Sequence, residues 1–196
     1  KYVIRYAFRK RLKKYLFQRF FLSRETKQKL NANASTVWIH AVSVGEVKSL
    51  SKIFKKLQDK YPDQVKGLVV GDGPAMADMK NWLPNAVYTG SLRGEELAVA
   101  YASSDIFLFP SISETFGNVT LEAMASGLPA FVADAPGSKS LVESKLNGCV
   151  ARPKDVDDFA ARIEMLIHSE EKRKAFSKAA RNKAEQYSWE EINGML

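Results

Sequence analysis

From Ser35 onward the chain alternates short apolar runs, rich in β-branched and aromatic residues, with amphipathic stretches of helical period. The apolar runs are Thr36–Val42 (TVWIHAV), Gly67–Val70, Ala86–Tyr88, Ile106–Phe109, Ala130–Ala133 and Gly148–Ala151. Between and after them, helices are expected over Glu46–Tyr61, Ala75–Trp82, Glu95–Ala102, Asn118–Ser126, a short piece around Leu141, Val156–His168 and Glu171–Tyr187. In the first of these, Leu50, Ile53, Phe54 and Leu57 share one face and lysines take the other. Pro62-Asp63, Gly71-Asp72-Gly73-Pro74, Pro84 and the expected turn at Pro136-Gly137 punctuate the pattern. Strands that read as continuous apolar runs, rather than alternating ones, are covered on both faces, and parallel strands need a helical crossover to connect them. The pattern therefore predicts an α/β chain. Residues 35–196 form a single Rossmann-like doubly wound parallel sheet, preceded by an arm over residues 1–34 and a polar linker at Asn31–Ser35.

A sheet of this kind binds ligands beyond the carboxyl ends of its strands, at the point where strand order reverses. The loops in question are Ser43–Gly45, Gly71–Gly73, Thr89–Arg93 and Ser111–Gly117.

Charge is distributed unevenly. Of the +8 net charge, residues 1–30 carry 11 Lys or Arg against the single acid Glu25, whereas the remaining chain holds 19 basic and 21 acidic side chains. The arm also contains Tyr2, Tyr6, Phe8, Tyr15, Phe17, Phe20 and Phe21, and Ile4, Phe8, Leu12, Leu16 and Phe20 recur every four residues. Cations interleaved with aromatic rings suit the headgroup region of an anionic bilayer, each contributing about 1 kcal/mol near the surface. The competing reading is a solvated helix packed on another domain. Arg5, Arg11 and Arg19 fall near the apolar face and blur its amphipathicity. Nucleic acid is not an expected partner: the arm holds no base-reading motif and the body no basic groove. No run of about 18 apolar residues marks a membrane span, and no secretory leader pattern is present. Cys149, the sole cysteine, reads as core packing. A cytoplasmic protein, peripheral on the cytoplasmic face of a membrane, is the expectation.

The chemistry concentrates after the fourth strand, where the chain reads SETFGNVTLEAMASGLP from Ser113 to Pro129. Glu114 and Glu122 stand eight positions apart, a spacing that 13 glutamates would give by chance about once. Their context carries more weight. Glu114 lies in a loop beyond a strand end, and Glu122 on the second turn of the following helix. Gly117, lacking Cβ, lets backbone amides at the helix start approach a diphosphate. A loop carboxylate can accept hydrogen bonds from sugar hydroxyls and a helix carboxylate from a ribose. The bland alternative is one surface glutamate and one helix-face glutamate.

This segment resembles the E-x7-E signature of retaining GT-B glycosyltransferases, in particular the sulfoquinovosyl- and mannosyltransferase-like members. The resemblance extends over about 130 residues, from GDGP at Gly71–Pro74 through Thr89–Ser111 and APGS at Ala135–Ser138 to YSWEEI at Tyr187–Ile192. It implies a GT-B donor domain and a hexosyltransferase that uses a UDP- or GDP-sugar without cofactor or metal. Among the site residues it implies, Glu114 would hold the donor hexose and act in catalysis, with Ser113 and Phe116 beside it. Glu122 would hold the ribose, and Gly117, Asn118 and Val119 would offer amides to the diphosphate. Gly71, Gly90 and Leu92, the last two within the loop Thr89–Arg93, would border the base. His40 and His168 are isolated and read as structural.

The opening of the body departs from that family. A Gly-Arg-Leu…Lys signature, whose cations clamp the diphosphate, is expected after the first strand. In its place stands Trp38-Ile39-His40-Ala41-Val42-Ser43-Val44-Gly45-Glu46-Val47. That string resembles the start of the Kdo transferases, which use CMP-Kdo in lipid A and lipopolysaccharide synthesis. The likeness implies that Glu46 acts as general base and that Gly45 lies beside the donor. A dipole-stabilised carboxylate at a helix start is the structural alternative for Glu46, and Lys48 or Lys52 the substitute for the missing clamp. The two resemblances meet near Tyr61–Gly67, as a junction of two parentages would. A non-catalytic nucleotide-binding module is the third reading. Since GT-B transfer takes place in a cleft between two domains, this one domain is expected to bind a sugar nucleotide better than it transfers the sugar.

Overall fold

Strands β1 (Ser35–Ile39), β2 (Val65–Val69), β3 (Val87–Tyr88), β4 (Ile106–Phe109), β5 (Ala130–Ala133) and β6 (Gly148–Ala151) form one sheet of order β3-β2-β1-β4-β5-β6. Every pairing is parallel, with Val37 of β1 opposite Gly67 on one side and Ile106 on the other. The computed structural model describes residues 35–39, 44–112 and 117–187. The expected basic arm, residues 31–34 of the linker, His40–Ser43 and the end of the chain past Tyr187 lie outside the described residues.

Helices α1 (Val44–Lys60), α2 (Met76–Trp82), α3 (Gly94–Ala102), α4 (Asn118–Ala125), α5 (Pro136–Lys139), α6 (Val156–Ile167) and α7 (Glu170–Glu185) connect and follow the strands. All four residues of β4 and of β5 are buried, as the continuous apolar runs required. On one face Leu50, Ile53, Phe54 and Leu57 of α1 pack with Phe159, Ile163 and Leu166 of α6. On the other, Phe107 and Phe109 of β4 meet Ala123 and Met124 of α4 and Ala180 and Ala184 of α7. Each phenylalanine taken fully from water contributes about 1.5–3 kcal/mol. The exposed ion pairs between the same helices, Lys56–Asp157 and Lys60–Glu164, add about 0–1 kcal/mol each. Apolar burial therefore decides how α1 and α6 sit.

Three expectations need adjustment. β2 begins at Val65 rather than Gly67, because Val65 and Leu68 supply its buried side chains. The short helix expected around Leu141 forms instead over Pro136–Lys139, so Pro136-Gly137 opens a helix rather than making a turn. Proline at the first helical position has its φ already set and loses no intrahelical hydrogen bond; Leu141, just past the helix, is simply buried. His168 stacks edge-to-face on Tyr61 at 4.8 Å, and Cys149 is buried in the core.

Two strand glycines are required by close approach. A Cβ on Gly67 would stand 2.8 Å from Phe54 Cζ, and one on Gly148 would stand 2.0 Å from the Ala130 carbonyl oxygen. The first neighbour is a side chain that can yield; the second is the backbone of β5. Gly148→Ala is therefore expected to cost about 3 kcal/mol or more in urea unfolding, at the upper end for overpacking. Gly73→Ala, whose Cβ meets open space, is expected to stay within about 0.5 kcal/mol.

Candidate functional site

The strand order reverses between β1 and β4, and the crevice outside their carboxyl ends is the ligand position of such a sheet. What stands there follows from the connections. The first turn of α1 enters from β1, carrying Gly45 and Glu46. Pro110 and Ser111 leave β4, and Gly117 begins α4.

Across the crevice, the Ser111 hydroxyl donates to Glu46 Oε1 at 2.7 Å. Ser111 is 2% exposed and Glu46 half-buried, so a residue from each side of the switch point meets in one polar contact. Glu46 also lies in the first turn of α1, where the helix dipole favours a carboxylate.

Gly117 has φ +85°, a left-handed conformation that costs an L-residue about 1–2 kcal/mol. It is also crowded, since a Cβ there would approach Leu141 Cδ1 to 3.2 Å. Its carbonyl accepts the Leu121 amide at 2.9 Å, the first hydrogen bond of α4. The amides of Asn118 and Val119 fall in that first turn, whose N–H groups have no acceptor within the helix. Asn118 is exposed and Val119 half-buried. One turn on, burial pushes the half-buried Glu122 carboxyl above its ordinary range. Tyr101 of α3 lies close enough that Glu122's charge, after burial, helps push its phenol up. Helix α7 holds α4 in place: the Arg181 guanidinium donates to the Ala125 carbonyl at the far end of α4, and Arg181 is itself paired with Glu185 at 2.8 Å.

A second group lies along the same edge, beyond β2 and β3. The Gly71 amide donates to the Gly90 carbonyl at 2.8 Å, with φ +128° and +73° at the two glycines. Thr89 hydroxyl reaches the Gly90 carbonyl at 3.0 Å, and Leu92 packs half-buried against the α3–α4 side of the core. Tyr88 Oη sits 2.9 Å from the Met79 carbonyl and 3.0 Å from that of Leu83, closing the end of α2. Burial pushes that phenol up to about 12.

Of the expected site residues, Gly117, Asn118, Val119 and Glu122 come together on α4. Gly45 and Glu46 stand at the start of α1, where Glu46 meets Ser111, and Gly71, Gly90 and Leu92 lie further along the edge. Ser113, Glu114 and Phe116 lie outside the described residues. Lys48 and Lys52 are both exposed. Lys52 stands with Lys55, Lys56 and Lys60 along the outer part of α1, some 9 Å beyond Glu46 at 1.5 Å per residue, and so is poorly placed to clamp a phosphate at the crevice. Ser111 falls in the loop Ser111–Gly117 that the sequence marks, but its pairing with Glu46 is not foreseen there. Tyr101 escaped the sequence reading altogether, since nothing in sequence separates it from any other core aromatic.

Comparison with known proteins decides the family. The model of "Glycosyl transferases group 1" matches residues 23–183. The chain belongs to that family. Sulfoquinovosyl transferase SQD2 of Arabidopsis thaliana is 40% identical over 156 residues, covering 77% of this chain and 30% of that protein. A GDP-mannose-dependent alpha-mannosyltransferase of Mycolicibacterium smegmatis is 38% identical over 128 residues, covering 65% and 33%. The chain thus spans about a third of the length of these relatives. In structure, the C-terminal domain of the group 1 protein LpcC from Francisella tularensis matches with a TM-score of 0.70 at 17% identity, covering 85% of this chain and 93% of that one. The likeness is therefore to one GT-B domain. The matched span includes Tyr61–Gly67, where the two resemblances were expected to meet.

The raised Glu122 carboxyl has a consequence for stability. The folded state holds the proton to higher pH than the unfolded chain. Its stabilising preference is fully present below the ordinary value of 4.5 and is lost as pH rises through the folded value. Glu122→Gln is expected to remove that loss. The stability gap between variant and parent, measured by denaturant unfolding from pH 4 to about 8, should grow with pH. A gap independent of pH would contradict the assignment.

Proposed function

We propose that this chain is the donor-binding half of a glycosyltransferase that uses a UDP- or GDP-linked sugar and delivers a hexose to a membrane-associated, glycolipid-type acceptor. The observation that carries the reading is the left-handed Gly117 start of α4, with Glu122 half-buried one turn later, at the switch point of the sheet. In this reading the Asn118 and Val119 amides face the diphosphate at the positive end of α4. Glu122 accepts from the ribose hydroxyls, and the Gly71–Gly90 turn with Leu92 borders the base. Glu114, with Ser113 and Phe116, takes the hexose and acts at the reacting carbon. Glu46 is the carboxylate on the opposite wall. The names of the relatives support a sugar nucleotide, one of them being GDP-mannose-dependent. Transfer requires the acceptor held in near-attack geometry, a task assigned here to a companion domain. The basic, aromatic segment 1–30 places the protein at the cytoplasmic face of an anionic membrane in this reading, through its own composition.

Calorimetric titration with UDP-, GDP- and CMP-sugars tests the donor. Binding of a UDP- or GDP-sugar is expected, weakened by at least about tenfold in Glu122→Ala, the size of one or more lost hydrogen bonds to a charged group. Preference for CMP-Kdo would move the assignment to the Kdo transferases, and no binding at all would sink the enzymatic reading. Co-sedimentation with vesicles of anionic lipid is expected to fall on deletion of residues 1–30; unchanged sedimentation would remove the membrane partner.

A further inference from the structure

The wall of the crevice opposite α4 carries a negative charge where a diphosphate site calls for a positive one. Glu46 does not reach it as a loosely held surface side chain. It projects from the first turn of α1, is half-buried, and its Oε1 accepts the hydroxyl of Ser111, itself buried, on the other side of the switch point. The lysines that follow in α1 are exposed, and Lys52 lies well down the helix axis from this contact.

We propose that Ser111 is a positioning residue that fixes Glu46 as a charge selector in the crevice. Phosphate groups bound at the start of α4 feel the helix N-terminus as attraction and Glu46 as repulsion, so each added phosphate charge gains less than it would at a glycine-start helix alone. The same carboxylate is an acceptor for a sugar hydroxyl. The site thereby ranks ligands by their hydroxyl donors more than by their phosphate charge.

The inference rests on the nucleotide-binding reading, and the test separates the two. UMP and UDP are titrated into the full chain and into Glu46→Gln, which keeps the shape and removes the charge. The preference for UDP over UMP is expected to rise by about tenfold in the variant, the size of one like charge removed at several ångströms in a partly wet cleft. Ser111→Ala, which removes one hydrogen bond from the carboxylate without deleting it, is expected to raise the same ratio by about threefold, and Ser111→Thr to restore it. A purely structural role would weaken both ligands alike and leave the ratio where it was. Should Glu46→Gln fail to fold, the Ser111 pair carries the test. UDP binding with an unchanged ratio in all variants overturns the charge selector alone. Failure of every protein to bind either nucleotide, or GMP and GDP titrated in their place, overturns it together with the donor-site reading.

Discussion

A parallel sheet buries both its faces, and most of this structure follows from that requirement. β4 and β5 offer only apolar side chains to either side, so neither face can be left to water. α1 and α6 close one and α4 and α7 the other. Once the helices are committed to covering the sheet, their N-termini cluster at the carboxyl ends of the strands, because each connection leaves a strand and turns back. The ligand edge is thus a by-product of core formation. The amides at the start of α4 need no separate device to point outward into the crevice beyond β4.

What the core does not decide is the fine geometry of that edge, and there a few polar residues act. Gly117 tolerates the left-handed turn and the nearness of Leu141, so α4 can begin where it does. Arg181, from the last helix of the described body, satisfies the Ala125 carbonyl at the opposite end of α4. Deleting that contact would loosen the helix that bears Glu122 from a position far away in sequence. Gly71 and Gly90 do for β2 and β3 what Gly117 does for β4. Both adopt positive φ, and their backbone hydrogen bond ties two loops into one platform.

Legibility in sequence tracked the physical origin of each feature. β4, β5 and β6 fall on the residues expected, and α1 buries the four apolar residues expected, because period and apolarity alone specify them. The start of β2 and the position of α5 were misjudged because local signals there are weak: a lysine interrupts β2, and Pro-Gly serves equally in a turn and at a helix start. The position of Gly117 at a helix start and of Glu122 one turn on is legible through placement after a strand, not through spacing. The Ser111–Glu46 contact spans 65 residues and depends on β1 and β4 being neighbours, a fact of topology that no local pattern encodes. The shift of the Glu122 carboxyl is likewise set by burial from several elements at once.

The two carboxylates of the described site are held in opposite ways, and this bears on how one sheet edge can serve both a charged and an uncharged part of a ligand. Burial presses Glu122 toward its neutral form, so its charge is most useful when a ligand supplies hydroxyl donors in place of the water it has lost. Glu46 already has a protein donor in Ser111 and the start of α1 behind it. In the proposed reading a neutral, hydroxyl-rich group is therefore welcome against either wall, whereas a phosphate is favoured only along the narrow strip at the start of α4. Gly117 sets where that strip begins: a side chain there would strain the backbone and crowd Leu141, and in the proposed reading it would displace the phosphate from the helix start.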